Sequence, residues 1–505
     1  MHLKKGASPV NLMNIVSAAN SNVRIVCRIA QREALDLLRD RRLAIVAASV
    51  VLLLSVSVWI GAQRYIANQK QQEMLSGGER ERWLTQGDRH PHSAAHQGFW
   101  VFQPSTILSI ADPGITTHAG AAVHLEPHRQ RLFRYSPAED ATWLQRAGEL
   151  TAAVTLQRFI PLLIILIGFA SLAGERESGR LKLVLSSGVS PLSLSLGKAF
   201  GLFAPLMLVL VPVSVLGGFS VGLNGDLAGG PLLLRSLITA TTYAAYFGIF
   251  VLITLTVSAL ARTSRRAITV LLFIWITGVV LASPLVLTVA GREYPTPTAL
   301  EFESSLQKAR AHGPLYFERL VAVEDRLLKQ YNVNTVEQLP LNSEGVAMIA
   351  EEADEDALHD VEFRQLYNAY RGQGRVFQLG SLVSPLVAVQ ALSMGLSGTD
   401  LAHHLHFAQA AEDYRRFFVQ MMNGDLKDND FTEARRPSSP SNPTDLVYMR
   451  NREFWEKVPP FVYAPPGLDW IARQNGIAAV ALTTWLLVAV AAGAIAVKRF
   501  ARKLP

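Results

Sequence analysis

Residues 43–62 read LAIVAASVVLLLSVSVWIGA, a run with no charged side chain in it. A helix rises about 1.5 Å per residue and the hydrocarbon core of a bilayer is about 30 Å thick, so roughly 20 apolar residues are enough to cross it. Working outward from this run, five more stretches meet the same test: 152–173, 199–222, 236–260, 267–290 and 476–497. The last of them, GIAAVALTTWLLVAVAAGAIAV, is again free of charge. The stretch 152–173 carries Arg158 near its start, where a long side chain can snorkel to the interface. Half of the 505 residues are hydrophobic and only 18% are charged, less charge than a soluble chain of this length usually carries. The expected fold is an all-α polytopic membrane protein with six transmembrane helices. The first span begins past residue 40 and has no small-residue cleavage site behind it, so it is expected to stay in place as an anchor rather than be removed as a signal peptide.

Charge distribution orients the spans. The segments 1–42, 173–198, 261–267 and 498–505 together hold 19 Lys/Arg against 5 Asp/Glu, whereas 291–473 holds 26 Asp/Glu against 18 Lys/Arg. Basic residues concentrate in the short loops of the cytoplasmic side, and six spans place those four segments on one side. The expectation is a bacterial inner-membrane protein with both termini cytoplasmic and with 63–151 and 291–473 outside. The net charge of +7 does not point to nucleic acid, because the basic segments are short and border apolar spans. The single cysteine, Cys27, excludes an intrachain disulfide.

Between the spans, residues 1–20 read as poorly ordered and 24–39 as a basic amphipathic helix lying in the membrane interface, with Val26, Ile29, Ala30, Ala34, Leu37 and Leu38 on one face. The segment 63–151 is polar and rich in turn signals (SGG, HPH, DPG), becoming helix-like from Pro137. The segment 291–473 has helical patterning at 299–331, 344–372 and 375–421, the last broken near Gly380, Pro385 and Gly395, and then a Pro/Ser/Asn loop at 435–445. A mainly helical extracytoplasmic domain between the fifth and sixth spans is expected. Within it the acidic run EEADED at 351–356 lacks the alternating ligands and central glycine of a calcium loop and reads as a solvated helix face.

The loop between spans two and three, GERESGRLKLVLSSGVSPLSLSLGK at 174–198, has charged ends around an apolar pattern of Leu181, Leu183, Val184 and Leu185. Gly179, Gly188 and Pro191 delimit a short helix suited to docking in a groove on another protein. This stretch resembles the coupling loop of ABC type 2 export permeases, in which a span ends in Glu-Arg-Glu, a short Gly-Thr-Leu-type helix follows, and a small-Pro-Ser turn leads to Gly-Lys. Here the corresponding residues are Glu175-Arg176-Glu177, Gly179-Arg180-Leu181, Ser190-Pro191 and Gly197-Lys198, with Arg180 in place of the commoner Thr. The amphipathic leading helix, six spans and large outer insertion are similar to the subgroup of multi-copper enzyme maturation permeases. The resemblance implies a permease subunit without catalytic residues, and a coupling site of Glu175, Arg176, Glu177, Gly179, Arg180, Leu183, Ser190, Pro191 and Lys198. It further implies a separate cytoplasmic ABC ATPase that binds ATP and magnesium, and a second permease, identical or not. No phosphate-cradling GxxxxGK[ST] motif occurs in this chain. The spans are also poor in the buried carboxylates that ion-driven carriers need, and neither HExxH nor an intramembrane aspartate pair is present. The alternative reading is a mechanotransmission scaffold that works on an extracytoplasmic protein without moving a substrate.

One other cluster stands out. His92 and His96 have the i,i+4 spacing that lets two imidazoles share a metal on a helix, and His118, His124, His128, His403, His404 and His406 lie in the same outer segments. Pro91 sits inside the first cluster and no cysteine or methionine accompanies it, so the expectation is a polar loop with no assigned metal.

Overall fold

The computed structural model describes residues 9–136, 150–223, 229–311, 313, 315–431, 434–439 and 442–502. Among them the chain is mostly helical, with two short antiparallel strand pairs. Five helices are long and apolar enough to cross a membrane: Leu43–Leu84, Ala152–Glu177, Leu232–Leu260, Ser264–Glu293 and Gly476–Arg499. A sixth candidate is the bent pair Arg180–Ser186 and Pro191–Met207, which turns through 120°. A large helical insertion separates Ser264–Glu293 from Gly476–Arg499. The helix-like stretch from Pro137 to residue 149 lies outside the described residues.

The leading helix is longer than its sequence suggested. It runs from Pro9 to Arg39, which corrects the expectation of disorder up to residue 20: no glycine or proline interrupts 10–39, so nothing stops the helix until Asp40. It lies against the helix Pro191–Leu223. Gly197 and Gly201, one turn apart, make the close approach possible. A β-carbon added at Gly197 would stand 2.6 Å from Ile29 Cβ, and one at Gly201 2.6 Å from Glu33 Cβ. This is the small-xxx-small packing that membrane helices use where lipid offers no hydrophobic drive.

The first apolar run belongs to one helix, Arg41–Leu84, of 44 residues. The helix therefore continues well past the polar boundary at residue 63, and Gly77 and Gly78, read as a turn, lie inside it. Their cost, about 1 kcal/mol each, is offset because the helix end is fastened. Trp83 is fully buried between Phe99, Phe418 and Trp455, with ring centroids 4.5, 5.4 and 5.4 Å away. Its Nε1 donates to Trp455 O at 3.1 Å, and Trp455 Nε1 donates to Gly87 O at 3.0 Å.

Two of the spans contain π turns, Thr155–Phe159 and Ile276–Leu281, each just before a proline, Pro161 and Pro284. Proline has no N–H for the carbonyl four residues back. In the first case that carbonyl, Gln157 O, takes a hydrogen bond from Tyr246 OH at 2.7 Å instead. In the second π turn, a side chain also reaches the backbone: Gly278 O accepts from Ser384 Oγ at 2.5 Å. The bundle core around these sites is filled by Leu156, Ile160, Ile164, Tyr246, Phe247 and Leu271.

The insertion is not merely hung on the bundle. Its helix Pro385–Ser397 enters the bundle, with Leu386, Val387, Ala388 and Val389 all fully buried. It contacts Gly229–Leu260 and Gly476–Arg502, and Tyr243 OH lies 3.0 Å from Ser393 Oγ. A helix of thirteen residues is too short to span a bilayer but long enough for a wedge between spans. The helix breaks expected near Gly380 and Pro385 occur there, but Gly395 stays helical, packed against Asn475, and the chain turns instead at Gly398, where φ is +70°. The Pro/Ser/Asn loop at 435–445 is also corrected. Arg435–Ser439 pairs antiparallel with Asn442–Tyr448, the prolines being tolerated because a two-stranded ribbon consists only of edges.

The acidic run lies on the helix Ser343–Gly380, as patterning suggests, but only part of it is solvated. Arg415, 1% exposed, draws Glu352, Asp356 and Glu412 around it: the Glu352 contact is 3.4 Å, the Glu412 contact is 2.8 Å, and Asp356 pairs directly. The helical period that carries Glu351 and Asp354 outward to Arg319 turns Glu352 and Asp356 inward.

Candidate functional site

The loop between the second and third apolar helices is built from its base upward. The second span ends at Gly168; a turn follows, and the short helix Ala173–Glu177 begins. Ser258 of the apolar helix Leu232–Leu260 clamps that turn: its Oγ accepts from the Leu172 and Ala173 N–H groups at 3.1 and 3.0 Å and donates to Phe169 O at 2.8 Å. Lys198 then ties three segments together. Its Nζ lies 2.8 Å from Glu33 of the leading helix and 2.8 Å from Glu175, and its side chain is 4% exposed. Arg176 donates to the carbonyls of Ala259, at 2.6 Å, and Ala261, closing the C-terminus of the helix Leu232–Leu260. Glu177 accepts from Ser264 Oγ at 2.6 Å at the start of the next span.

Above this base the helix Arg180–Ser186 stands between two left-handed glycines, Gly179 at φ +74° and Gly188 at φ +87°. A side chain at either position would be strained. Ser190 and Pro191 start the next helix in a recognisable way. Ser190 Oγ accepts from the Ser193 N–H at 3.0 Å as an N-cap, and Pro191 occupies the first helical position, where no N–H is needed. The short helix has two unlike faces. Leu181 is 2% exposed and packs with Leu172, Leu194, Ala259 and Ala496, while Leu183 is 71% exposed. Arg180 is exposed and its Nε donates to Ser178 Oγ at 3.0 Å. The structure thus brings Glu175, Arg176, Glu177 and Lys198 into the base and leaves Arg180 and Leu183 facing outward. Glu33, the second carboxylate on Lys198, has no signal in the loop itself. Only its place one helical turn from Ile29 on the leading helix could have suggested it.

At the far end of the bundle the histidines separate into two sets. His403, His404 and His406 turn to different partners: Asp400 at 2.6 Å, Gln103 Oε1 at 3.0 Å and Tyr463 OH at 3.0 Å. His92, His96 and His128 converge instead. His92 and His96 lie on the helix Pro91–Gln97, in which Pro91 is the first helical residue rather than a breaker. The Nε2 atoms of His92 and His96 are 3.1 Å apart, and those of His92 and His128 are 3.4 Å apart. The one ligand atom each offers lies within 4.8 Å of the others. Sequence reading paired His92 with His96 and missed His128, which arrives from beyond a strand pair, Phe99–Phe102 with Ala122–Leu125. The three groups titrate differently. Burial pushes the His92 imidazole down to about 4, and burial followed by the nearby His128 lowers His96. Burial also opposes charge on His128, but Glu352, Glu351 and Glu355 together outweigh it and hold His128 above the usual imidazole range.

Residues 299–464, about a third of the chain, match the family model described as Domain of unknown function (DUF3526), a family generally associated with ABC-transporter permease components. No curated protein matches the chain.

Proposed function

We propose that this chain is the membrane-spanning permease subunit of an ATP-driven exporter in a bacterial inner membrane. In this reading it has six spans and both termini in the cytoplasm, and a separate ATPase that binds ATP and magnesium pushes on residues 174–190. The observation that carries the reading is the small helix Arg180–Ser186, set off at 120° from the helix it leads into, with an exposed leucine at its tip and a charged base locked to neighbouring helices. A plain connector has no need of a rigid base or of an outward apolar residue. A lever that receives force needs both: Leu183 and Arg180 meet the ATPase, and Lys198, Glu175, Glu33 and Arg176 pass the push to the leading helix and the fourth span. The association of the matched domain with ABC permease components supports the same reading. A second permease copy or homologue completes the complex.

The mechanotransmission reading has its own support in the wedge helix Pro385–Ser397, because a tilt of the spans would be carried directly into the insertion and to a protein bound outside. The test for coupling is Leu183→Asp in the tagged full chain, with Arg265→Glu in the other short loop as the comparison. Membrane insertion is expected to persist in both, and the ATPase recovered with the chain is expected to fall at least tenfold only for Leu183→Asp. Equal recovery from both variants would remove the basis for a coupling role of this loop.

A further inference from the structure

We propose that His92, His96 and His128 hold one borderline divalent transition ion, zinc or copper(II), with a fourth coordination position open to solvent. The proposal is independent of the transport reading, since it rests only on the geometry of the polar domain.

The distances fit an ion. Zinc–imidazole bonds of about 2.0–2.1 Å in a tetrahedron place neighbouring nitrogens roughly 3.3–3.4 Å apart. The two Nε2 separations of 3.1 and 3.4 Å match those edges. The ring centroids are 4.7, 5.2 and 5.3 Å apart, so the three imidazoles surround one point rather than stack in a row.

The outer contacts fix the tautomers that metal binding needs. His92 Nδ1 lies 3.0 Å from Asn423 Oδ1, an acceptor, so Nδ1 carries the hydrogen and Nε2 presents its lone pair. Asn423 is fully buried and cannot move aside easily. His128 Nδ1 lies 2.7 Å from Glu352 Oε1, a close ionic contact without hydrogen-bond alignment, and the carboxylate favours a hydrogen on that nitrogen too. Two Nε2 atoms 3.4 Å apart can share either a proton or a metal ion, and an ion takes both lone pairs at once. A carboxylate or amide behind each imidazole is the usual outer shell of a histidine metal site.

The backbone is also held for this purpose. His128 has φ +61°, a left-handed conformation uncommon for a residue with a side chain. Glu352 Oε1 accepts the His128 N–H at 2.9 Å, and Arg310 donates to the His128 carbonyl, so the turn is pinned on both sides of the imidazole. Glu352, Arg310 and Asn423 all lie in the matched region 299–464, whereas all three ligands lie in 91–128. The ion would therefore close the segment after the first span on itself, and the hydrogen bonds behind its ligands would tie that segment to the insertion.

The donor set selects the ion class. Three imidazoles suit zinc and copper(II), while calcium and magnesium require oxygen ligands. Neither thiolate nor thioether stands among the three ligands, which disfavours copper(I). His96 is exposed and His92 and His128 half-buried, so the site opens to solvent on the His96 side and water can take the fourth position.

The experiment uses the full chain in detergent, stripped with chelator, and titrated separately with Zn2+, Cu2+ and Co2+. Bound metal is counted by elemental analysis, and Co2+ is read by its visible absorption, which reports coordination number. We expect one ion per chain, a tetrahedral Co2+ spectrum, at least 100-fold weaker binding for His96→Ala and for His128→Asn, and unchanged binding for His118→Ala, whose imidazole is exposed and outside the cluster. Asn423→Leu keeps all three ligands but removes the acceptor behind His92; it is expected to weaken binding roughly 10–100-fold. Circular dichroism and thermal midpoints of the stripped variants separate lost ligation from lost folding. Absence of stoichiometric binding by the unaltered chain, or binding that survives the His96→Ala, His128→Asn double variant, would overturn the proposal. A preference for Cu2+ over Zn2+ beyond the general Irving–Williams trend, or its absence, decides which of the two ions the site selects.

Discussion

The two ends of the helical bundle use charge in opposite ways. At the loop end one buried cation, Lys198, is shared by carboxylates from two other segments, and the residue left facing outward is an apolar leucine. At the polar-domain end one buried cation, Arg415, is surrounded by three carboxylates, and one of these, Glu352, reaches on to the histidine cluster. The loop pairs the charges at its base and leaves Leu183 and Arg180 outward; the domain's acidic run reads as a solvated face but turns Glu352 and Asp356 inward. Charge count along the chain therefore does not reveal which charges are free to meet a partner. Only the pairing pattern does.

The largest expected effect tests the domain end. In Arg415→Met the guanidinium at the centre of three carboxylates is lost; Arg416 stays against Glu412 and Asp356, and His128 against Glu352, but the fully buried positions that Arg415 filled are left without a cation. Breaking a buried pair from one side typically costs about 3–5 kcal/mol, and the loss of three contacts at once places this variant toward the upper end even with Arg416 still in place. The expected outcome is a polar domain that does not fold while the spans still insert. Limited proteolysis of membranes would show this as rapid cleavage between 299 and 464 with the bundle intact. A protease-resistant domain in this variant would mean that the network is less dry than it looks.

The corresponding change at the loop end is Lys198→Met. Glu33 and Glu175 have side chains 18% and 23% exposed, so water can reach them and the cost should fall to about 3 kcal/mol, the lower end for a one-sided break. The thermal midpoint of the purified chain should drop less than for Arg415→Met, and Glu175→Gln, which keeps a hydrogen-bond acceptor, should drop it less again. If Lys198→Met were the more damaging variant, the contrast between the two ends would be inverted.

How much of this was visible in sequence depends on the range of the interaction. The apolar runs, the two glycines around Arg180–Ser186 and the Ser190-Pro191 helix start are local features, and they read correctly because their physics is local. The DUF3526 match falls within the outer insertion that the sequence expected to be mainly helical. The fastening of Arg41–Leu84 by Trp83 and Trp455, 372 residues apart, was invisible, so the glycines at 77 and 78 were read as a turn. His128 was missed for the same reason: its position beside His92 is set by a strand pairing and by Glu352, not by spacing. The wedge helix Pro385–Ser397 did leave a trace, a short apolar run after a proline, but its length fits a core helix as well as a re-entrant one.

A third, smaller effect concerns pH. Burial against Phe133 lowers the His404 imidazole to about 4, from an unfolded value of 6.5. Between those values the unfolded chain binds a proton that the folded domain refuses, so stability is full above pH 6.5 and falls as pH drops toward 4. The slope from one such group is at most about 1.4 kcal/mol per pH unit. Denaturation midpoints of the metal-free chain at pH 7 and pH 5.5 should differ by on the order of 1 kcal/mol more for the unaltered protein than for His404→Gln. Equal slopes would show that His404 is not held neutral.

The smallest expected effect is also the sharpest test of the loop's two faces. Leu181 and Leu183 are two residues apart on one short helix, yet one is buried in the bundle and the other is 71% exposed. Leu181→Asp places a carboxylate among Leu172, Leu194, Ala259 and Ala496 with no cation to meet it, and should cost on the order of 3 kcal/mol or more. Leu183→Asp puts the same group into solvent and should change the stability of the isolated chain by roughly 0.5 kcal/mol or less. The pair separates two explanations of a leucine-rich loop. If the loop is only internal packing, both substitutions should destabilise, since both leucines would belong to the core. If the inner face packs and the outer face waits for a partner, only Leu181→Asp should lower the melting temperature, and Leu183→Asp should show its effect solely when the ATPase is present. A Leu183→Asp chain that is destabilised on its own would place Leu183 inside the bundle and leave the polar side chains of Arg180 and Lys182 as the outward contacts of this helix.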